Sequence, residues 1–176
     1  MKRITVILLC ALILLGCANV NYEWPFHKMR RIEQLSFSSF KNEFIQERGP
    51  GYVVFIDSLC LGIVKYQSGE CHVPIHDKYL GKGDPEIDEM ASRQMKFGTP
   101  GTEEYLYFKR IMELVSDLKL YSMSVDNDTE VHLQWYDKLC PILKWWVVIP
   151  GEKGSSARMT DFHKYSANLY YQLDML

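Results

Sequence analysis

Several things are missing from this chain of 176 residues, and each absence narrows what it can be. There is no positive excess: 20 basic residues stand against 22 acidic ones, a formal net of −2, with no polybasic run. A nucleic-acid footprint, which needs clustered Lys and Arg, is thereby disfavoured. The apolar run Ile4–Leu15 has twelve residues, whereas a spanning helix needs about 20. No serine sits on a G-x-S-x-G elbow and no H-E-x-x-H occurs, so the common signatures of nucleophilic and zinc hydrolysis are absent. Without internal repeats, low-complexity tracts or a second linker, one domain is expected.

What is present begins at the N-terminus. Lys2-Arg3 forms a positive region, Ile4–Leu15 an apolar one, and small Gly16 immediately precedes Cys17. This order is that of an export signal that is removed. Leu14-Leu15-Gly16-Cys17 resembles the lipobox of bacterial lipoproteins. The resemblance implies that Cys17 carries the lipid, that cleavage falls just before it, and that the protein is held by acyl chains without a spanning helix. Ala18, in place of the Asp that retains lipoproteins at the inner membrane of enteric-type bacteria, implies the outer membrane, with the body facing the periplasm. The expected divisions are residues 1–16 as signal peptide, 17–31 as lipidated N-terminus and tether, and 32–176 as a single globular domain. Loss of Lys2 and Arg3 leaves 18 basic against 22 acidic residues, a mature net of about −4.

Export permits disulfides. Cys10 leaves with the signal, so Cys60, Cys71 and Cys140 remain for one disulfide and one free thiol. Cys60–Cys71 is the closest pair in sequence. If Ser68-Gly69 is a two-residue hairpin turn, however, Cys71 lies across from Tyr66 and Cys60 is about 20 Å further along its strand, against the roughly 7 Å a disulfide spans. Either that hairpin is irregular or Cys140 is a partner.

Periodicity sets the expected elements. Phe37, Phe40, Phe44 and Ile45 recur at helical spacing, with Ser38 or Ser39 as cap and Gly49-Pro50-Gly51 as a stop. Strands are expected at 52–56, 61–66 and 71–75, with a bulge at Gly62. Asp84, Pro85 and the acidic first turn open a helix over 84–98, facing inward with Ile87, Met90 and Ala91. Thr102 caps another, whose stripe is Tyr105, Phe108, Ile111, Met112, Val115 and Leu118. Residues 121–125 and 131–135 alternate around Asp126-Asn127-Asp128 as a hairpin. Ile142–Ile149 reads as a central strand covered on both faces. Thr160-Asp161 opens a last helix burying Phe162, Tyr165, Leu169 and Leu173. The fold class is α+β, a mainly antiparallel sheet of about five or six strands with three or four packed helices.

Candidate chemistry is sparse. His72 and His76 flank Pro74 and cannot share a helical face, and a structural zinc site needs four ligands. The segment 126–130 lacks the central Gly of a calcium loop and suits a tight turn. Cys140 with His132 or His163 is the one thiol–imidazole combination to weigh, and a buried or bonded cysteine is favoured over it. No catalytic residue, metal or cofactor is expected. Aromatics are denser: Trp145-Trp146 on a strand must face opposite ways, and Tyr170-Tyr171 cannot both lie on one helical stripe. Exposed Trp and Tyr serve as interface anchors, and Asp84, Glu86, Asp88 and Glu89 form the densest acidic cluster, suited to a basic partner groove.

Small, mildly acidic, periplasm-facing lipoproteins with a lipobox and no catalytic motif resemble the immunity proteins made beside toxic effectors of type VI secretion systems. That resemblance implies a non-enzymatic, membrane-anchored protein that neutralises a secreted effector by binding it. The alternative reading is an accessory lipoprotein of envelope or secretion-system assembly, whose partner is an envelope component.

Overall fold

A computed structural model describes residues 24–40, 42–74, 81, 83–151 and 159–175. Cys17, with the expected signal peptide, and His76 lie outside the described residues. Among the described residues the architecture is α+β: one antiparallel sheet of nine strands, more than the five or six expected, and three α-helices. In chain order these are α1 (Pro25–Glu33), β1 (Glu43–Arg48), β2 (Gly51–Ile56), β3 (Leu59–Gln67), β4 (Glu70–His72), α2 (Pro85–Gly98), α3 (Glu103–Asp117), β5 (Ser122–Val125), β6 (Val131–Tyr136), β7 (Leu143–Ile149), β8 (His163–Lys164) and β9 (Tyr170–Met175). Spatial order across the sheet is β4-β3-β2-β1-β5-β6-β7-β9-β8.

Three tight hairpins build the first half. Asp57 and Ser58, and again Ser68 and Gly69, have positive φ, the requirement of a two-residue type I′ turn. Ser68-Gly69 sets Cys71 opposite Tyr66, as expected. The β2–β3 register slips so that Cys60 faces Phe55 and Gly62 faces Val54, which leaves Leu61 as the extra residue of a bulge.

All three helices cover one face. Phe26 of α1 packs its ring against Trp145 and Tyr171, and Lys28 lies over Trp135. On α3, Tyr107 donates its hydroxyl hydrogen bond to buried Glu43 of β1. The expected α3 stripe from Tyr105 to Leu118 is buried throughout, and Thr102 accepts from the Tyr105 amide as its cap. α2 lies outside α3, with Phe97 edge-on to Phe108 and Gln94 donating to the carbonyls of Leu61 and Pro74.

Four expectations are corrected. The segment from Phe37 to Ile45 is no helix: Asn42 has φ 56°, and β1 follows with Ile45 buried and Phe44 on the opposite face. The expected tether holds helix α1, which starts with Pro25 where a missing N–H costs nothing and buries Met29 and Ile32 completely; the globular body therefore includes residues from Pro25 onward. No helix follows Thr160; a single 3₁₀ turn, Met159–Asp161, leads into β8 and β9. On α2 the inward positions are Ala91, Gln94 and Phe97, while Ile87 and Met90 are exposed, because α2 packs against α3 and the end of β3 and not flat on the sheet.

Candidate protein-binding face

With the helices on one side, the register of the ladders reads out the other side directly. One row across the sheet runs Cys60, Phe55, Phe44, Ser124, His132, Val148, Tyr170, Lys164. The next runs Ile63, Val53, Gln46, Ser122, Gln134, Trp146, Gln172. These two rows divide into three zones. At β1–β3 the side chains are apolar, with Phe44 39%, Phe55 38% and Ile63 48% exposed. In the middle they are polar, with the Ser122 hydroxyl 3.1 Å from Gln134 Oε1. At β7–β9 they are aromatic and partly covered, since Trp146 meets Phe162 edge-on at 5.2 Å.

Antiparallel sheets commonly have one face packed and one solvated, with polar residues on the solvated side. The β1–β3 end departs from that pattern. Val53 and Phe55 make β2 apolar on both faces, the composition of a strand covered twice, yet the helix layer supplies one cover only. Contiguous exposed apolar surface of this kind marks interaction sites.

The polar centre is organised around His132. Trp146 donates its indole N–H to His132 Nδ1 at 3.3 Å, and Nε2 bonds the carboxylate of Glu130, itself 1% exposed. Both ring nitrogens are thus engaged, which leaves none to take a proton from Cys140. Asp126 accepts from the Asp128 and Glu130 amides at 2.9 Å each, so the 126–130 segment is a side-chain-capped turn.

The residues expected to bind a partner do not come together. Trp145 is buried between Trp135 and Phe26 on the helix face, and Tyr171 packs there too; only Trp146 and Tyr170 point to the bare face. Asp84 spends its carboxylate on the Glu86 and Ile87 amides, and Asp88 accepts from the Gly81 amide at 2.8 Å. Glu86 and Glu89 are exposed on α2, which packs beside β3. β3 and β7 are five strand spacings apart, about 24 Å at ~4.8 Å each, so the acidic cluster and the aromatic pair form no common patch. The apolar zone of Phe44, Phe55 and Ile63 was not singled out from the sequence; its signal was the two-sided apolarity of 52–56.

Among the described residues no disulfide forms: Cys60 is exposed on the bare side of β3, Cys71 is buried under the helices and Cys140 lies in the β6–β7 turn, all three free. Of the alternatives weighed, a Cys60–Cys71 bond is ruled out by the bulge and hairpin, which send the two side chains to opposite faces. Burial pushes the Cys71 thiol up to about 12. Among the described residues no group of three or more His, Cys, Asp or Glu is placed to hold a metal ion. No helix among them is long and apolar enough to cross a membrane. A cleft of about 310 Å³ opens where α1 ends, with Ile32, Val131 and Leu169 below and Ser36, Ser38 and Asn168 at its lip.

Comparison with protein-family models, with curated proteins and with solved structures finds no match to this chain.

Proposed function

We propose that this chain is an exported lipoprotein, acylated on Cys17 and held at the envelope with its body facing the periplasm, that acts by binding another protein. Within that reading, an immunity protein neutralising a secreted toxic effector fits best. The observation that carries the binding role is the bare face of the sheet, where Phe44, Phe55 and Ile63 are exposed side by side while α1, α2 and α3 lie on the other side. Burying such side chains against a partner is worth roughly 25 cal/mol per Å² before association costs. A mature net charge of about −4 favours a partner with a basic rim.

The test is genetic and biochemical together. Cells lacking this chain should become sensitive to kin that deliver the cognate toxin. The full chain should restore resistance, and a Phe44→Asp/Phe55→Asp chain expressed to the same level should not. Cys17→Ser should release the protein from membranes and abolish metabolic labelling by palmitate. An envelope or secretion defect arising with no toxin present would assign the chain to assembly instead and end the immunity reading.

A further inference from the structure

The two edges of the sheet are finished differently. At the β4 end, β4 is three residues long, β3 carries the Leu61 bulge, Pro74 lies over Gly62 and Gln94 occupies the Leu61 carbonyl. Short strands, bulges and covering side chains are the devices that stop an edge from recruiting another strand. At the opposite end, β8 pairs with Tyr170 and Tyr171 only. Alongside Gln172–Met175 no strand follows among the described residues, and β7 occupies just the inner flank.

Which backbone groups face the vacant flank is fixed by one hydrogen bond. The Tyr165 N–H donates to the Leu169 carbonyl at 2.9 Å, in the same register as His163 opposite Tyr171. Backbone groups alternate sides along an antiparallel strand. Those of Leu169, Tyr171, Leu173 and Met175 therefore point outward, and those of Gln172 and Asp174 point to β7. Leu173 and Met175 each present an N–H and a C=O to the open side. Their side chains are 42% and 78% exposed, on the face where half-exposed Phe26 meets Tyr171 at 5.9 Å. No proline, lysine or bulge interrupts 172–175.

A second copy of this chain is a poor occupant. Antiparallel pairing about a two-fold axis places residues of the same face opposite each other. Leu173 against Leu173 would then put Met175 of one copy opposite Tyr171 of the other, a position His163 already fills. The neighbouring register sets Leu173 against Met175 and Asp174 against Asp174. That is a close, non-hydrogen-bonded pair with Cα atoms about 4.5 Å apart, and like charges there are destabilising.

We propose that Gln172–Met175 receives an extended segment of a partner protein as an added strand. The segment is apolar at the positions flanking Leu173 and Met175 and basic at the position beside Asp174. Main-chain bonds supply the affinity and alternate side chains the selectivity. This goes beyond the flat-face reading, since it uses the sheet's edge and the helix side, and either surface can fail without the other.

The probe is an acetylated six-residue peptide of alternating valine and lysine, added to isotopically labelled full chain in detergent. Amide exchange at Leu173 and Met175 is expected to slow at least tenfold, with little change elsewhere. The same peptide with N-methylated valines should produce no slowing at either amide, and the unmethylated peptide added to Leu173→Pro should produce none at Met175, the outward amide that variant retains. Proline there removes an outward-facing donor and none of the donors that face β7, and the N-methylated peptide leaves the protein untouched, so a misfolded variant cannot mimic both results. Three results would overturn the proposal: no slowing, slowing that survives N-methylation, or slowing confined to Phe44 and Phe55. Dimerisation of the unliganded chain that Leu173→Pro abolishes would overturn it too, in favour of a second copy.

Discussion

Phe44 and Phe55 stand directly opposite each other on β1 and β2, their ring centroids 6.2 Å apart, on the side of the sheet away from α1, α2 and α3. A cross-strand aromatic pair contributes roughly 0.2–1 kcal/mol to a sheet, so removing one ring costs the fold little. Phe55→Asp is expected to change the unfolding free energy, read from urea titration, by about 1 kcal/mol or less while weakening partner binding at least tenfold. A variant that unfolds, or that binds as well as the parent, would remove this face from the account.

The cysteines give a chemical test. Cys71 sits under the helix layer, where desolvation first, only partly countered by Lys109, raises its thiol from an ordinary 9.0 to about 12. At pH 8 its thiolate fraction is on the order of one in ten thousand, whereas an unhindered exposed thiol is readily attacked. Iodoacetamide on the native protein should label Cys60 and leave Cys71 intact, with both labelled in guanidinium. Mild oxidation should yield no Cys60–Cys71 bond, since the two side chains leave opposite faces of β3 and β4.

The same shift has a consequence for alkaline stability. A neutral thiol whose proton is held more tightly in the folded state than in the unfolded one stabilises fully below pH 9, and that contribution fades as pH climbs toward 12. Burial raises Tyr52, Tyr66 and Tyr136 in the same sense. Urea midpoints are therefore expected to fall between pH 9 and 11 and to change little from these groups between 7 and 8.5. Cys71→Val should flatten part of the fall.

Helices α2 and α3 should respond unequally to truncation. Phe108 has no exposed surface and takes the edge of Phe97; Phe108→Ala is expected to cost about 3–5 kcal/mol. Ile87, which sequence periodicity assigned to an inward face, is exposed, and Ile87→Ala should stay within roughly 0.5 kcal/mol. Thermal unfolding of the two variants side by side distinguishes these magnitudes easily.

At the end of β7, Gly151 passes so close to the 126–130 turn that a Cβ there would lie 2.1 Å from the Asp128 carbonyl oxygen. The obstacle is backbone and cannot swing away. Gly151→Ala is expected to cost about 1–3 kcal/mol, the range for forced overpacking, whereas Gly49→Ser, with open space around it, meets no clash and bears only the strain of its positive φ.

How much of this was legible beforehand depended on whether the signal was local. Helix α3 declared itself through a capping Thr102 and six apolar residues at helical spacing, and the 68–69 turn through Ser-Gly. Pro25 falls inside the stretch expected to be tether, yet proline opens a helix well at its first position. Phe162, Tyr165, Leu169 and Leu173 imitate a helical stripe, but Tyr165 and Leu169 lie at the two ends of the turn joining β8 to β9. Nothing local records that, because strand pairing is a long-range choice. The apolar face of β2 was visible as a run of Tyr, Val and Phe; whether a second layer covers it depends on where the helices go, which single-strand patterning does not encode. The separation of Trp145 from Trp146 followed from strand geometry alone.

The extra residue at Leu61 acts on β3 as a change of phase. Before it, Leu59 and Leu61 point into the core; after it, Val64 and Tyr66 do so, although strict alternation would send Ile63 and Lys65 there. Were the bulge ironed flat with every residue kept, the distal half of the strand would turn inside out, with a lysine driven beneath the helices and two core side chains expelled into water. One insertion thus decides the polarity of an entire corner of the molecule.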